Sequence, residues 1–467
     1  MALASVPLQS FATWTVTNLH PSGATNSVAN GIRSGRIVGG VNADTAMWTV
    51  SVPGWTTLGP GVLYKTDGVQ QVGRNTSTAA VWTGTPGSFV PLFPTGTPNE
   101  IGAVASGVFS SEQVGYIFVI SFTIVGNAGY WLDSAGTWTN INPPGAFSSE
   151  CTDVHAGQRV GAAWFVNTTD PNAYIWYGSP TGVSVNPALS IRSYLHGVHS
   201  GKQVGYFVPI GDTRAHAGLW ANTAASCVDL HPPTAYQSAA TAVYLNRQAG
   251  WVEYTQGTKH AAYWQGNSAS AVDLHAYLPP GYDSSEAVGI WTDNPGVNTY
   301  ITGYALTPSN NKHAMLWKLE PDQTLSTNLH LQDTVAAFAA TRPITYAVIK
   351  NNLTIASGVI NANAPFTNAS ILVPQSQTGA AAVVFDGSSF LRRVVACNLT
   401  GNNQNLGQVN VSNGDADLSG EVDAADIDLV IADFGSMAVG NSDVDVSGEV
   451  DAADIDIVIA NFGNVDQ

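Results

Sequence analysis

Residues 203–239 read QVGYFVPIGDTRAHAGLWANTAASCVDLHPPTAYQSA, and residues 248–287 repeat the order as QAGWVEYTQGTKHAAYWQGNSASAVDLHAYLPPGYDSSEA. A third copy, ITGYALTPSNNKHAMLWKLEP, follows over 301–321. Each holds a VGY-like segment, a polar stretch rich in turn formers, a HAxxW segment and often VDLH. Weaker copies precede them: RIVGG with AMW ending at Trp48, QQVG with AAVW at Trp82, QVGY with AGYW at Trp131, and RVGAAW with AYIW at Trp176. The anchoring tryptophans, Trp48, Trp82, Trp131, Trp176, Trp220, Trp264 and Trp317, stand 34 to 53 residues apart.

Within each unit, short alternating runs are separated by Gly, Pro, Asn, Asp and Ser, the pattern of strands joined by turns. Two to four strands at this period make one blade of a β-propeller. A lone blade cannot cover its own apolar faces, so the blades must stack around an axis. Seven VGY segments predict a mainly β fold with a propeller of about seven blades over 1–332. FATWTVTNLHP (11–21) carries a Trp but no preceding VGY. It is expected to complete the last blade and lock the ring, which removes sheet edges. The surplus leaves six or eight blades open, with TRPITYAVI (341–349) as a degenerate source of strands.

These segments resemble the HAF-repeat family of bacterial extracellular proteins, whose units read VGY…HAFLW…DLG. The three central copies match well, and the first four lack the His. The resemblance implies a propeller over roughly residues 11–320 and brings no agreed catalytic residues.

Composition agrees with an all-β reading. Charged residues are 10% of the chain, while Gly (47), Trp (13) and Tyr (16) are plentiful, suiting tight turns and strands. The net charge of −17 is local: residues 412–467 hold 14 acids and no Lys or Arg, leaving 19 acids against 16 bases elsewhere. Without a basic stripe to neutralise phosphates, nucleic acid is not expected as a partner. No apolar run is long enough for a membrane span. Cys151, Cys227 and Cys397 form neither a zinc spacing nor a redox pair; one disulfide or three free thiols both fit. The opening MALASVPLQSFATW shows no charged n-region and no long apolar h-region, so no signal peptide is visible in it.

From about 340 to 411 the repeat gives way to alternating runs such as TYAVIKNNLTIASGVINANAPFTNASILV and SSFLRRVVACNLT. They predict one small β-sandwich, with the role of a spacer. The domain boundaries expected are 1–332, 340–411 and 412–467.

The tail then repeats itself: DADLSGEVDAADIDLVIADFG (415–435) and DVDVSGEVDAADIDIVIANFG (443–463), 28 residues apart. Each opens with a 12-residue loop fitting the EF-hand ligand scheme. In the first, Asp415, Asp417 and Ser419 hold positions 1, 3 and 5, and Gly420 allows the sharp turn at 6. Glu421 offers its backbone carbonyl at 7, Asp423 acts directly or through water at 9, and Asp426 closes the site at 12. The second loop places Asp443, Asp445, Ser447, Gly448, Glu449, Asp451 and Asp454 in the same order. Hard oxygen donors in that number suit Ca²⁺, one ion per loop. Val422 and Val450, at position 8, are expected to pair the loops through a short β-bridge. Apolar residues at helical spacing follow each loop, and Gly435 and Gly463 stop the helices.

This pattern resembles the dockerin family: two loop-plus-helix units with Asp at position 12 and no helix entering each loop. Serine at position 5 in both loops departs from the usual Asp or Asn and weakens that ligand. The resemblance implies an extracellular or cell-surface setting and a cohesin-like partner docking on the helices, with Asp428, Asp433, Asp456 and Asn461 as candidate contacts.

Other chemistry finds less support. His20, His216, His231, His260, His275, His313 and His330 are read as occupying repeat positions (HAxxW or LH), which favours a structural role over catalysis. DSAGTW (133–138) has its Gly displaced from a sialidase-type box and is read as a turn. The sequon Asn167-Thr168-Thr169 is read as chance. No motif selects a carboxylate pair of the kind glycoside hydrolysis needs. The function expected is noncatalytic: a propeller presenting a face to a protein or polysaccharide, tethered by a calcium-dependent tail. The alternative is a polysaccharide-degrading hydrolase or lyase carried by the same tail.

Overall fold

Every VGY segment forms the second strand of a small antiparallel sheet, and its glycine lets the first strand pass close by. A Cβ on Gly39, Gly73, Gly115, Gly161, Gly205, Gly250 or Gly303 would run into the first strand's carbonyl at Val28, Val62, Val104, Glu150, Tyr194, Ala239 or Glu286. In each sheet the first strand shifts register beside this crossing, at Leu195/Gly197 opposite Gly205 for example. The repeated glycine thus has a steric cause.

The computed structural model describes all residues except 1–12, 52–53, 76–77, 95–98, 121–123, 166–169, 294–297, 335–337, 339–340, 375–376, 388, 438–440 and 467. The 167–169 sequon lies outside the described residues. Two compact units emerge, Trp14–Leu319 and one built from residues 320–466.

The first unit is a β-propeller, whose described residues form seven sheets of three or four strands. Its first strands are Ser27–Arg33, Val62–Thr66, Glu100–Phe109, Ala146–His155, Ser190–His199, Gln237–Tyr244 and Ser284–Thr292. Each neighbours the next, and the last meets the first, so the ring closes. Side chains on these strands tie blade to blade: Ser106 donates to the Cys151 carbonyl at 2.5 Å, Thr152 to Leu195 at 2.9 Å and Thr241 to Ala287 at 2.7 Å. Thr13–Asn18 forms the outermost strand of the last sheet, beside Lys312–Glu320. The N-terminal segment therefore closes the ring with strands from the far end of the unit.

The anchoring tryptophans pack each blade against the one before. Trp220 sits among Val160, Ile175 and Val185, and Trp317 among Ala261, Tyr263 and Leu274. Trp48 packs on Ala314 and Leu316 of the last blade and closes the circle. The repeat histidines stack in pairs, His20 on His313 at 3.8 Å, His216 on His231 at 4.0 Å and His260 on His275 at 4.3 Å. In each pair one ring faces a serine hydroxyl: His20–Ser27, His231–Ser238 and His275–Ser285, at 2.8 to 3.0 Å. The DSAGTW stretch is a turn, with a short 3-10 segment at Ala135–Thr137.

The second unit corrects the expected boundary at 332. Asp322–Leu331 is a sandwich strand, paired antiparallel with Phe366–Pro374 and parallel with Gln404–Val411. Its Leu325, Leu329 and Leu331 are fully buried in the sandwich core, an alternation that the propeller repeat overshadowed. His330 belongs to this strand, stacked on Phe366 and 3.2 Å from Asn410 Oδ1, and so is not a repeat position. TRPITYAVI is a central strand, Arg342–Lys350, of the opposing four-stranded sheet. The sandwich and the helical tail share one compact unit: Leu391 of the sandwich joins the tail's core of Val422, Val430, Val444, Val450 and Val458.

Candidate metal centres

Two helices, Ala424–Ala432 (α1) and Ala452–Asn461 (α2), follow the two acidic loops. Each starts where the position-9 aspartate caps it: Asp423 accepts from Ala425 N and Asp451 from Ala453 N, both at 2.7 Å. The position-12 carboxylate completes a reciprocal cap by accepting from the Asp423 or Asp451 backbone N–H at 2.8 Å. The residues that orient the ligands therefore also start the helices. Gly435 and Gly463 sit just past the ends with φ of 83° and 85°, as a left-handed stop requires.

The loop brings three carboxylates together in each half. Ligand oxygens of Asp415, Asp417 and Asp426 lie within 4.8 Å of one another, and so do those of Asp443, Asp445 and Asp454. Backbone N–H groups aim them. Asp426 accepts from Asp417 N at 3.0 Å, and Asp415 from Ser419 N at 2.9 Å and Gly420 N at 3.2 Å. Gly420 and Gly448 have φ of 91° and 99°, the conformation position 6 demands. Ser419 and Ser447 point their hydroxyls at the carbonyls of Glu421 and Glu449, at 3.1 and 3.2 Å. Positions 5 and 7 thus meet at the same side of the loop.

Burial makes these clusters costly without a cation. Asp426, Asp443 and Asp454 are fully buried, and Asp443 Oδ1 has no hydrogen-bond partner among the described residues. Leaving such an oxygen unsatisfied costs about 1–3 kcal/mol or more. Burial pushes the Asp415 carboxyl up to about 6, against backbone N–H bonds that lower it, and the neighbouring Asp426 and Asp417 add to the rise. Asp443 and Asp454 are raised by burial as well. Hard oxygen donors, an orphaned carboxylate oxygen and a tight turn fit a divalent cation such as Ca²⁺.

Asp423 and Asp451 each give one oxygen to the helix cap and keep the other for an ion, directly or through water. One expectation changes: the valines do not bridge to one another. Val450 exchanges bonds with Gly435 and Ser436, while Val422 exchanges them with Gly463 and Asn464. Each loop is thereby latched to the chain leaving the other loop's helix.

One residue at the site escaped the sequence. Arg342, only 4% exposed, donates through Nη2 to the Asp443 carbonyl at 2.7 Å and to its Oδ2 at 3.4 Å. It stands 101 residues upstream of the loop, and no local pattern marks it. Among the expected partner contacts, Asp428, Asp433 and Asp456 are exposed. Asp433 also accepts from Ser442 Oγ at 2.6 Å, and the half-buried Asn461 donates to Asp333 at 3.1 Å. Ile431, Phe434, Ile459 and Phe462 are each more than half exposed, and the first two recur as the second two at the 28-residue offset.

No protein-family model matches the sequence, and no curated protein does. Among solved structures, the propeller domain of the Trilobed protease from Pyrococcus furiosus is similar over 62% of this chain and 95% of its own, with 8% identity and a TM-score of 0.42. An oligogalacturonate lyase in complex with manganese is similar over 67% and 94%, with 9% identity and a TM-score of 0.44. A type II cohesin-X-dockerin complex from Acetivibrio cellulolyticus is similar over 31% of this chain and 97% of that chain, with 17% identity and a TM-score of 0.25. The mainly β fold with its propeller is read from the chain's own sheets.

Proposed function

We propose that this chain is a noncatalytic extracellular binding protein, in which a HAF-type propeller presents the binding face and a dockerin-like tail binds two Ca²⁺ and tethers it. The observation that carries the reading is the pair of carboxylate triads in register 28 residues apart, the second wholly buried and the first buried except at Asp417, with Asp443 Oδ1 lacking a hydrogen-bond partner among the described residues. Calcium would supply charge neutralisation and a fixed loop geometry. The duplicated apolar pairs Ile431/Phe434 and Ile459/Phe462 would offer a cohesin-like partner two equivalent surfaces, and a protein or polysaccharide would occupy the propeller face.

The alternative, a hydrolase or lyase on the propeller, calls for acids gathered at the channel mouth. There Asp153 pairs with Lys65 at 3.6 Å and accepts from Val154 N and Val198 N, and Asp67 caps its own turn at Val69 and Gln70. Calorimetric titration of the full chain with Ca²⁺ tests the main reading. Two ions should bind, and Asp426→Asn and Asp454→Asn should each remove one. No heat at several millimolar Ca²⁺ would sink it.

A further inference from the structure

The turns joining first and second strands gather at one mouth of the propeller channel, around a cavity of about 270 Å³ to which every blade contributes. That is near the small end of ligand pockets, about 300–1,000 Å³. Four first strands end in aromatic or imidazole rings that touch in series. Phe109 meets His155 at 4.5 Å, His155 meets His199 at 4.3 Å, and His199 meets Tyr244 at 4.2 Å. The Arg33 guanidinium closes the arc, 4.9 Å from the centre of the Tyr244 ring.

The polar atoms of this arc are donors without acceptors. Arg33 has no carboxylate or carbonyl partner among the described residues, in a chain of net charge −17. Its neighbours have spent their acceptors. His155 Nδ1 accepts from Ser200 N at 3.3 Å, and His199 Nδ1 from Leu245 N at 3.2 Å. With Nδ1 accepting, each imidazole carries its proton on Nε2, and neither Nε2 has a protein partner among the described residues. His199 is only 5% exposed, yet its ring lines the cavity. Burial and the Arg33 charge lower the His155 imidazole, and burial, His155 and Arg33 lower His199 to about 3.

Local donors, not net charge, select the ligand. Arg33 and Lys65 stand against Asp67 and Asp153 in the lining, and Lys65 is paired with Asp153. One carboxylate can take the Arg33 fork and the two imidazole N–H groups, whereas the second charge of a dianion would face Asp67 and Asp153 across the small cavity. The ring faces would stack on the body of the ligand. We propose that this mouth binds a small, ring-shaped monocarboxylate of the acidic-sugar class, held by Arg33, His155 and His199. This rests on the reading of the propeller as the binding part of the chain and names its ligand chemistry.

Titration calorimetry of the full chain with D-glucuronate tests it, with D-glucose and inorganic phosphate as controls. Glucuronate should bind and both controls should not. Arg33→Gln should weaken glucuronate at least tenfold, and Arg33→Lys, which keeps the charge but loses the fork, by an intermediate factor. Tryptophan emission checks that each variant keeps its propeller. Equal binding of glucose or phosphate, or glucuronate binding unchanged in a folded Arg33→Gln, would overturn the proposal. So would absence of glucuronate binding. Electrophoresis of the same protein through gels holding alginate or starch separates that failure from failure of the broader reading: retardation would keep a binding face elsewhere, and free migration in both would remove it.

Discussion

Replacing Arg342 by Met should destabilise the second unit strongly without calcium and weakly with it. Arg342 is 4% exposed and Asp443 fully buried, joined by one bond to a carbonyl and one to a carboxylate oxygen. Removing one partner of a buried pair costs about 3–5 kcal/mol, because the other charge stays behind uncompensated. In the variant, Asp443 would keep only the Gly448 N–H at 3.2 Å. A bound cation would supply the missing charge, so the remaining cost is the lost carbonyl bond, about 1 kcal/mol. For a unit of this size 1 kcal/mol moves Tm by about 2–4 °C. The expected fall is therefore roughly 6–20 °C in chelator and about 2–4 °C in millimolar Ca²⁺. Differential scanning calorimetry of the full chain reads both. Its transitions can be assigned because all 13 tryptophans lie between positions 14 and 317, so tryptophan emission follows the propeller only. An equal fall with and without Ca²⁺ would refute the reasoning, since Arg342 would then act as a packing residue unrelated to the ion.

Acid should loosen the propeller before it denatures. Burial holds His155, His196, His199, His231, His275 and His313 below the ordinary histidine value, with His196 at about 4 and His199 at about 3. The unfolded chain protonates its histidines near 6.5. It therefore binds more protons than the folded ring below that pH, and stability is lost as pH drops from about 6.5 toward 4. A melting temperature, followed by tryptophan emission, that held steady or rose between pH 7.5 and 5 would contradict this. Gly205→Ala should cost several kcal/mol or prevent folding, because its Cβ meets the Tyr194 carbonyl; Gly136→Ala, whose Cβ meets nothing and whose φ is not left-handed, should cost far less, and similar melting temperatures for the two would argue against the steric account. Burial pushes the Cys151 thiol well above its ordinary value, and the three cysteines are free. Iodoacetamide at pH 8 should leave native Cys151 unmodified and label all three after denaturation, and fewer than three labelled without reductant would reveal a disulfide.

The blades and the acidic loops were legible in the sequence because each is specified locally. A VGY glycine and a blade tryptophan recur at a period that a single chain displays, and the N-terminal Trp segment stands out by lacking a VGY of its own. The aspartates at positions 1, 3 and 12 form a cluster within twelve residues, so their spacing alone nearly dictates the geometry. What tertiary structure decided was pairing over long separations. Asp322–Leu331 alternates like any half-buried strand, and only its partners at Phe366–Pro374 and Gln404–Val411 assign it to the sandwich. Arg342 carries no mark of its nearness to Asp443. The arc of Phe109, His155, His199 and Tyr244 draws unlike residues from four blades into contact, which no repeat pattern reveals because the repeat constrains backbone and core while leaving the channel rim free to vary. Local order follows from sterics and hydrogen bonding between near neighbours; those contacts exist only after the ring and the sandwich have closed.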